Sequence, residues 1–211
     1  RMAAIRDLAQ KAKILVETIP REELDKKVAG QHQGVVAEVA ASTKGWTEKL
    51  LLRRLKELDH PALVLVLDGV TDPHNLGACL RSADAAGVDV VVAPKDNAAG
   101  LTPAAMKVAS GAAEVVPFVQ VTNLARALEG MKKVGIWLFG TDGNAESTLF
   151  ESDLTGPVAI VMGSEGSGLR RLTRDTCDHL VSLPMVGTVG SLNVSVAAGI
   201  CLYEAVRQRS G

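Results

Sequence analysis

The chain has 211 residues, 47% of them hydrophobic, 22% charged and 3% aromatic, with a formal net charge of −1 at pH 7. That length suits one ordinary domain plus a smaller piece, and so few aromatics argue against single-strand recognition by stacked rings. No apolar run is long enough to span a bilayer and no signal peptide opens the chain, so a cytoplasmic protein without membrane attachment is expected.

The charge is uneven. Residues 1–58 hold 12 Lys/Arg against 8 Asp/Glu, or +4, and the remainder holds 11 against 16, or −5. Phosphate contact is therefore favoured near the front, with a plain solvated surface as the alternative. Cys79, Cys177 and Cys201 are scattered and odd in number, with neither zinc-ligand spacing nor a CxxC pair. They read as reduced, buried thiols, and no metal is expected.

In chain order, the pattern predicts a helix over Met2–Lys11, a strand over Ile14–Ile19, a helix over Glu22–Lys27 and a strand over Val35–Val39. Ala40–Trp46, polar and Gly-containing, is the expected linker. Leu50, Leu51, Leu55 and Leu58 then recur at helical spacing, with Arg53, Arg54 and Lys56 between them.

Beyond residue 60 the period changes. Leu63–Leu67, Val88–Val92, Val115–Val119, Ile136–Phe139, Val158–Met162 and Leu180–Leu183 are short apolar runs bounded by Gly, Pro or Asp. They alternate with helical stretches at Leu76–Ala86, Pro103–Ala112, Leu124–Met131, Leu169–Thr176 and Leu192–Arg209. Unbroken apolar strands separated by helices imply an α/β fold: a parallel sheet with helices on both faces.

Ligands of such sheets bind beyond the carboxyl ends of the strands. Three loops there carry polar chemistry. The first, Asp68 to Gly77, leads into a helix holding Arg81. Asn75 is suited to cap that helix, and His74 could act as a base. The second, Gly163-Ser164-Glu165-Gly166-Ser167-Gly168, has three glycines in six positions, in an order that is neither a Walker loop nor GxGxxG. Arg170, Arg171 and Arg174 follow it and suit a phosphate backbone; a basic solvated face is the alternative. The third, Pro184 to Ser195, opens the last helix, with Ser191 as its expected cap. A smaller turn, Gly140-Thr141-Asp142-Gly143, follows the fourth run.

Taken together, LDGVTDPHNLGACLRSADAAG, VMGSEGSGLRRLTR and GSLNVSVAAGICLYEAVRQR resemble, in order, the three signature motifs of the SPOUT-class RNA 2'-O-ribose methyltransferases, SpoU/TrmH branch. The likeness covers about residues 61–209. It implies a C-terminal trefoil knot, which rules of unknotted topology do not predict. It implies S-adenosyl-L-methionine as cofactor, RNA as substrate and a homodimer packed across the knot. Overall likeness favours a guanosine of 23S rRNA; a tRNA ribose, or a non-catalytic RNA-binding role on the same fold, are the alternatives.

The implied organisation is a partial L30e-like RNA-binding module at residues 1–40, a linker and connecting helix at 41–59, and the methyltransferase domain at 60–211. The implied polar active-site set is Asn75, Arg81, Glu165, Ser191 and Asn193. Thr141, Gly163, Leu183, Met185, Ser191, Leu192 and Asn193 match the cofactor wall. A guanidinium is a poor base. Arg81 therefore either passes its proton to a neighbour such as an RNA phosphate or only stabilises the developing alkoxide, with Glu165 pairing with it or with another cation. Leu192, Val196, Ile200 and Tyr203 suit either an interface or a monomer core.

Overall fold

A computed structural model describes residues 2–28, 32, 34–37 and 46–210. The chain divides into two compact units, Arg1–Thr43 and Lys44–Gly211.

The first unit holds α1 (Met2–Lys11) and α2 (Arg21–Lys27), neither burying a residue. The strand expected at Ile14–Ile19 does not form. Those residues form no strand ladder among the described residues, and Ile14, Leu15 and Val16 lie exposed. A β-branched run becomes a strand only when a ladder partner satisfies its backbone. Residues 35–37 of the second expected strand likewise form no ladder among the described residues, and its last two residues, 38 and 39, with most of the expected linker, residues 40–45, lie outside the described residues.

The second unit begins with α3 (Glu48–Lys56), capped by Thr47, whose hydroxyl accepts from the Leu50 N–H at 3.2 Å. Leu51 and Leu55 are fully or nearly buried. This helix, expected as part of a connector, therefore belongs to the core. It is followed by β1 (Leu63–Asp68), α4 (Pro73–Ala85), β2 (Val90–Pro94), α5 (Pro103–Ala109), α6 (Ala112–Val115) and β3 (Phe118–Val121). Then come α7 (Leu124–Lys133), β4 (Trp137–Thr141), β5 (Ser147–Thr148), β6 (Val158–Gly163), α8 (Arg171–Thr176), β7 (His179–Ser182) and α9 (Val194–Arg209).

The seven strands form one sheet in the order β3-β2-β1-β6-β4-β7-β5, every pair parallel. Alternate residues of each strand face opposite sides. Leu63, Leu65 and Leu67 join a core with Leu76, Leu80, Ala198 and Leu202 beneath α4, α5 and α9. Val64 and Val66 join a second core with Leu51, Leu128 and Met131 beneath α3 and α7. The expected parallel sheet with helices on both faces is thus present.

Boundaries shift for local reasons. Pro117 disfavours helix just before it, so Val115 ends α6 and the strand starts at Phe118. The single helix expected over Pro103–Ala112 splits where Ser110 and Gly111 adopt left-handed φ of 53° and 97°. Close packing of α4 on α5 depends on Gly77, where a Cβ would lie 2.5 Å from the Ala105 carbonyl oxygen. At the far end of α9, Arg209 donates to the carbonyls of Pro61, Ala62, Leu154 and Gly156 at 2.6–3.0 Å. That clamp ties the helix end to the entry of β1.

Candidate active site

The carboxyl ends of β1, β6 and β7 release the three polar loops on one edge of the sheet. Asp68 and Gly163 are register partners at the ends of β1 and β6, so the first two loops start side by side. A Cβ on Gly69 would lie 3.6 Å from Ser164.

The first loop ends at Asp72, whose carboxylate accepts from the His74 N–H at 2.9 Å and caps α4, with Pro73 at its first position. The cap expected at Asn75 therefore falls to Asp72, because proline is pre-set for the first helical residue. This frees the Asn75 amide. His74 is exposed and, among the described residues, its ring reaches only Asp72.

In the second loop, Ser164 and Gly168 exchange main-chain hydrogen bonds of 3.0 Å each, and the hydroxyls of Ser164 and Ser167 lie 2.6 Å apart. Gly166 and Gly168 take φ of +82° and +68°, a region open mainly to glycine. Glu165 rides on the tip. A Cβ on Gly163 would collide with the backbone of Gly168 and Leu169. Glycine at 163 thus serves closure of its own loop.

The third loop delivers Asn193, which caps α9 by accepting from the Ser195 N–H at 2.9 Å. The cap expected at Ser191 belongs to Asn193 instead. The Ser195 hydroxyl also donates to Asn193 Oδ1, at 2.7 Å. With Oδ1 engaged twice, the amide group has one consistent orientation, its Nδ2 turned away from the helix.

That Nδ2 donates to Asn75 Oδ1 at 2.9 Å and to Glu165 Oε1 at 2.8 Å. Asn75 Nδ2 donates to the same Glu165 oxygen at 3.0 Å, and the Val194 N–H adds a 3.4 Å contact. Three segments far apart in sequence therefore meet at one carboxylate, placed at the start of a 16-residue helix. The positive end of the helix dipole favours that charge.

Arg81 stands apart from this set. From Asn75 it is six residues along α4, about 120° around the axis, exposed and without a hydrogen bond or ion pair among the described residues. The pairing expected between Glu165 and Arg81 is replaced by the two amides. The three arginines after the loop also differ from expectation. Arg170 is bound to the buried Asp68, with Nε donating at 2.6 Å. Arg174 Nε donates to Asp142 at 2.7 Å. Only Arg171 projects freely, with 95% side-chain exposure and Asp175 at 3.7 Å. The Asn144 N–H, then Arg174, hold the Asp142 carboxyl below its usual range.

Of the remaining candidates, Thr141 donates its hydroxyl to the Val161 carbonyl at 3.2 Å, stitching β4 to β6. Leu183 and Met185 are half-buried, and Ser191 and Leu192 are exposed. From Met185 to Leu192 no main-chain group hydrogen-bonds to protein among the described residues. Val186 and Val189 are likewise exposed. Burial raises all three cysteine thiols to about 12, although Cys177 is only half-buried. No group of three or more His, Cys, Asp or Glu among the described residues could hold a metal ion, and none of the described helices is long and apolar enough to cross a membrane. Sequence reasoning passed over Asp68 and Ser195. An acid ending a fully apolar strand was the available signal for Asp68.

Residues 62–203 match the family described as SpoU rRNA Methylase, and residues 1–44 match the one described as RNA 2'-O ribose methyltransferase substrate binding. The 23S rRNA (guanosine-2'-O-)-methyltransferase RlmB of Pseudomonas putida is 57% identical over 209 residues, 99% of this chain and 84% of that protein. The protein of that name from Pseudomonas syringae pv. tomato is 59% identical over 203 residues, covering 96% and 81%. Among solved structures, the SpoU methyltransferase AviRb from Streptomyces viridochromogenes in complex with AdoMet aligns with a TM-score of 0.68 and 35% identity. That alignment covers 74% of this chain and 64%, under two thirds, of AviRb.

Proposed function

This chain belongs to the SpoU rRNA Methylase family, and from there we propose that it methylates the 2'-hydroxyl of a guanosine ribose in 23S rRNA, using S-adenosyl-L-methionine. The observation that carries the reading is the shared carboxylate: Asn75, Glu165 and Asn193 locked together within 3.0 Å at the mouth of three loops. The relatives' names supply the substrate.

The third loop fits the cofactor. An adenosine offers polar edges and a flat apolar face. The loop offers unengaged main-chain donors and acceptors from Met185 to Leu192 beside the apolar Val186, Val189 and Leu192. Leu183, Met185, Ser191, Leu192 and Asn193 would hold it, together with Thr141 and Gly163. We infer as well that the segment after β7 threads a loop to close a trefoil knot.

When bound, the cofactor supplies an electrophilic methyl carbon on a sulfonium. The protein's own task is to align the ribose and to help its oxygen shed a proton. Asn75 and Asn193, already fixed by Glu165, orient the sugar. Arg81 stabilises the negative charge developing on the oxygen. Because Arg81 lies about 120° around α4 from Asn75 and makes no hydrogen bond to the trio among the described residues, we propose that a homodimer completes the site. The exposed face of α9, with Val196, Ile200 and Tyr203, together with Leu192 just before the helix, all at 37–53% exposure, is the proposed interface. Arg171, the most exposed of the three arginines after the loop, contacts RNA phosphates.

Labelled methyl transfer to separate 23S rRNA and tRNA transcripts tests this, followed by mapping of the modified ribose. Incorporation into 23S rRNA is expected. Transfer to tRNA alone overturns the substrate, and RNA binding without transfer overturns the enzyme. Arg81→Ala should lower transfer by about 100-fold or more and change cofactor affinity less than about threefold; lost cofactor binding reassigns Arg81.

A further inference from the structure

Asp68 closes β1 with a side chain that is wholly shielded from solvent. A buried carboxylate demands partners, and among the described residues they all come from one residue 102 positions later. The Arg170 N–H donates to Asp68 Oδ2 at 3.0 Å. Its Nε donates to Oδ1 at 2.6 Å, and a terminal guanidinium nitrogen lies 2.5 Å from that oxygen. Main chain and side chain of residue 170 are thus both gripped, fixing its place and its orientation.

Arg170 is the last residue of the Glu165 loop, immediately before α8. The loop's other foot, Gly163, is held by β6 in register with Asp68 itself. Both feet therefore stand on the end of β1. Between them the Ser164–Gly168 pair closes the neck, and Glu165 sits on the tip. Two glycines with positive φ make that tip entropically costly to order, so its geometry depends on how firmly its feet are held.

We infer that Asp68 and Arg170 form a positioning pair that sets Glu165 against Asn75 and Asn193. Its kinetic consequence rests on the functional reading above, and its structural one rests on these contacts alone. The pair takes Arg170 out of simple RNA recognition and makes it part of the frame of the site.

Arg170→Lys keeps the charge and loses the fork. It should lower kcat for methyl transfer about 10- to 100-fold, leave the KM for 23S rRNA within about threefold and leave the salt dependence of RNA binding unchanged. Added to Glu165→Gln, Arg170→Ala should slow the enzyme by no more than about twofold, because both act on one group. A raised KM, a shallower salt slope, an unchanged kcat and additivity with Glu165→Gln would instead make Arg170 a phosphate contact and overturn the inference. Hydrogen exchange separates the two readings. Amides of Glu165 to Leu169 should exchange about tenfold faster in folded Arg170→Ala, and faster in Asp68→Asn. Unchanged exchange overturns the clamp whatever the activity. A wild-type chain without methyl transfer sinks the functional reading and leaves the exchange result to decide the clamp.

Discussion

The loops after β6 and β7 are both rich in glycine, yet they use it differently. In the β6 loop, Gly166 and Gly168 have positive φ, Gly163 is pressed against its own chain, and the turn is closed by main-chain bonds. In the β7 loop, Gly187 and Gly190 have no positive φ, and a Cβ on either would meet nothing within 4 Å. The protein alone demands glycine in the first loop and has no use for it in the second. Open space at both glycines of the second leaves room for close approach by the proposed cofactor. One loop is a finished fixture, and the other is shaped to be completed.

The contrast can be broken most sharply at Gly163. Gly163→Ala should destabilise the fold by about 1–3 kcal/mol in urea unfolding, because the added methyl meets immovable backbone. Methyl transfer should fall with it as the Glu165 loop shifts. A stable, active variant would mean that this loop is as yielding as the other.

Gly187→Ala sharpens the contrast from the opposite side. Stability should stay level or rise by up to about 1 kcal/mol, since an ordinary backbone conformation gains from the less flexible residue. Titration calorimetry should show cofactor affinity down about tenfold, about 1.4 kcal/mol. Unchanged affinity would remove this loop from the cofactor site.

The smallest effect is expected outside both loops. Arg207 and then Gln208 hold the Glu204 carboxyl down at about 2, against an ordinary 4.5. A lowered folded-state value means that this contribution is complete above about 4.5 and is lost as pH falls toward 2. Arg207→Gln should lower stability slightly at neutral pH, with the deficit shrinking as pH falls from about 4.5 toward 2, and leave transfer unchanged. Circular dichroism across pH 2–6 checks it.

Six of the seven strands were legible because burial on both faces demands apolar runs. The seventh, Ser147–Thr148 at the sheet edge, is two polar residues long and leaves no such trace. The front of the chain misled in the reverse way, since Ile14–Ile19 has strand composition and no ladder partner among the described residues. The site was legible as three loops, and its wiring was not. Asp72 and Asn193 cap where Asn75 and Ser191 were expected, although proline after Asp72 was a readable sign. The Asp68–Arg170 grip spans 102 residues, and no local pattern can announce a pairing between two otherwise ordinary charges that far apart.

The strand order has a consequence for how the protein comes off the ribosome. β6 fills the middle of the sheet, between β1 and β4, although it is sixth to be made. While residues up to about 150 emerge, β1, β2 and β3 can assemble as one wing. β4 has no neighbour until β6 and β7 arrive. The nascent chain must therefore wait, apolar edges open, for its keystone, and Arg209 locks the last helix against Pro61 and Ala62 only after every strand of the sheet has been made. Non-local assembly of this kind is slow and prone to aggregation, so elongation speed and chaperone supply, rather than the final fold's stability, should set how much protein a cell recovers.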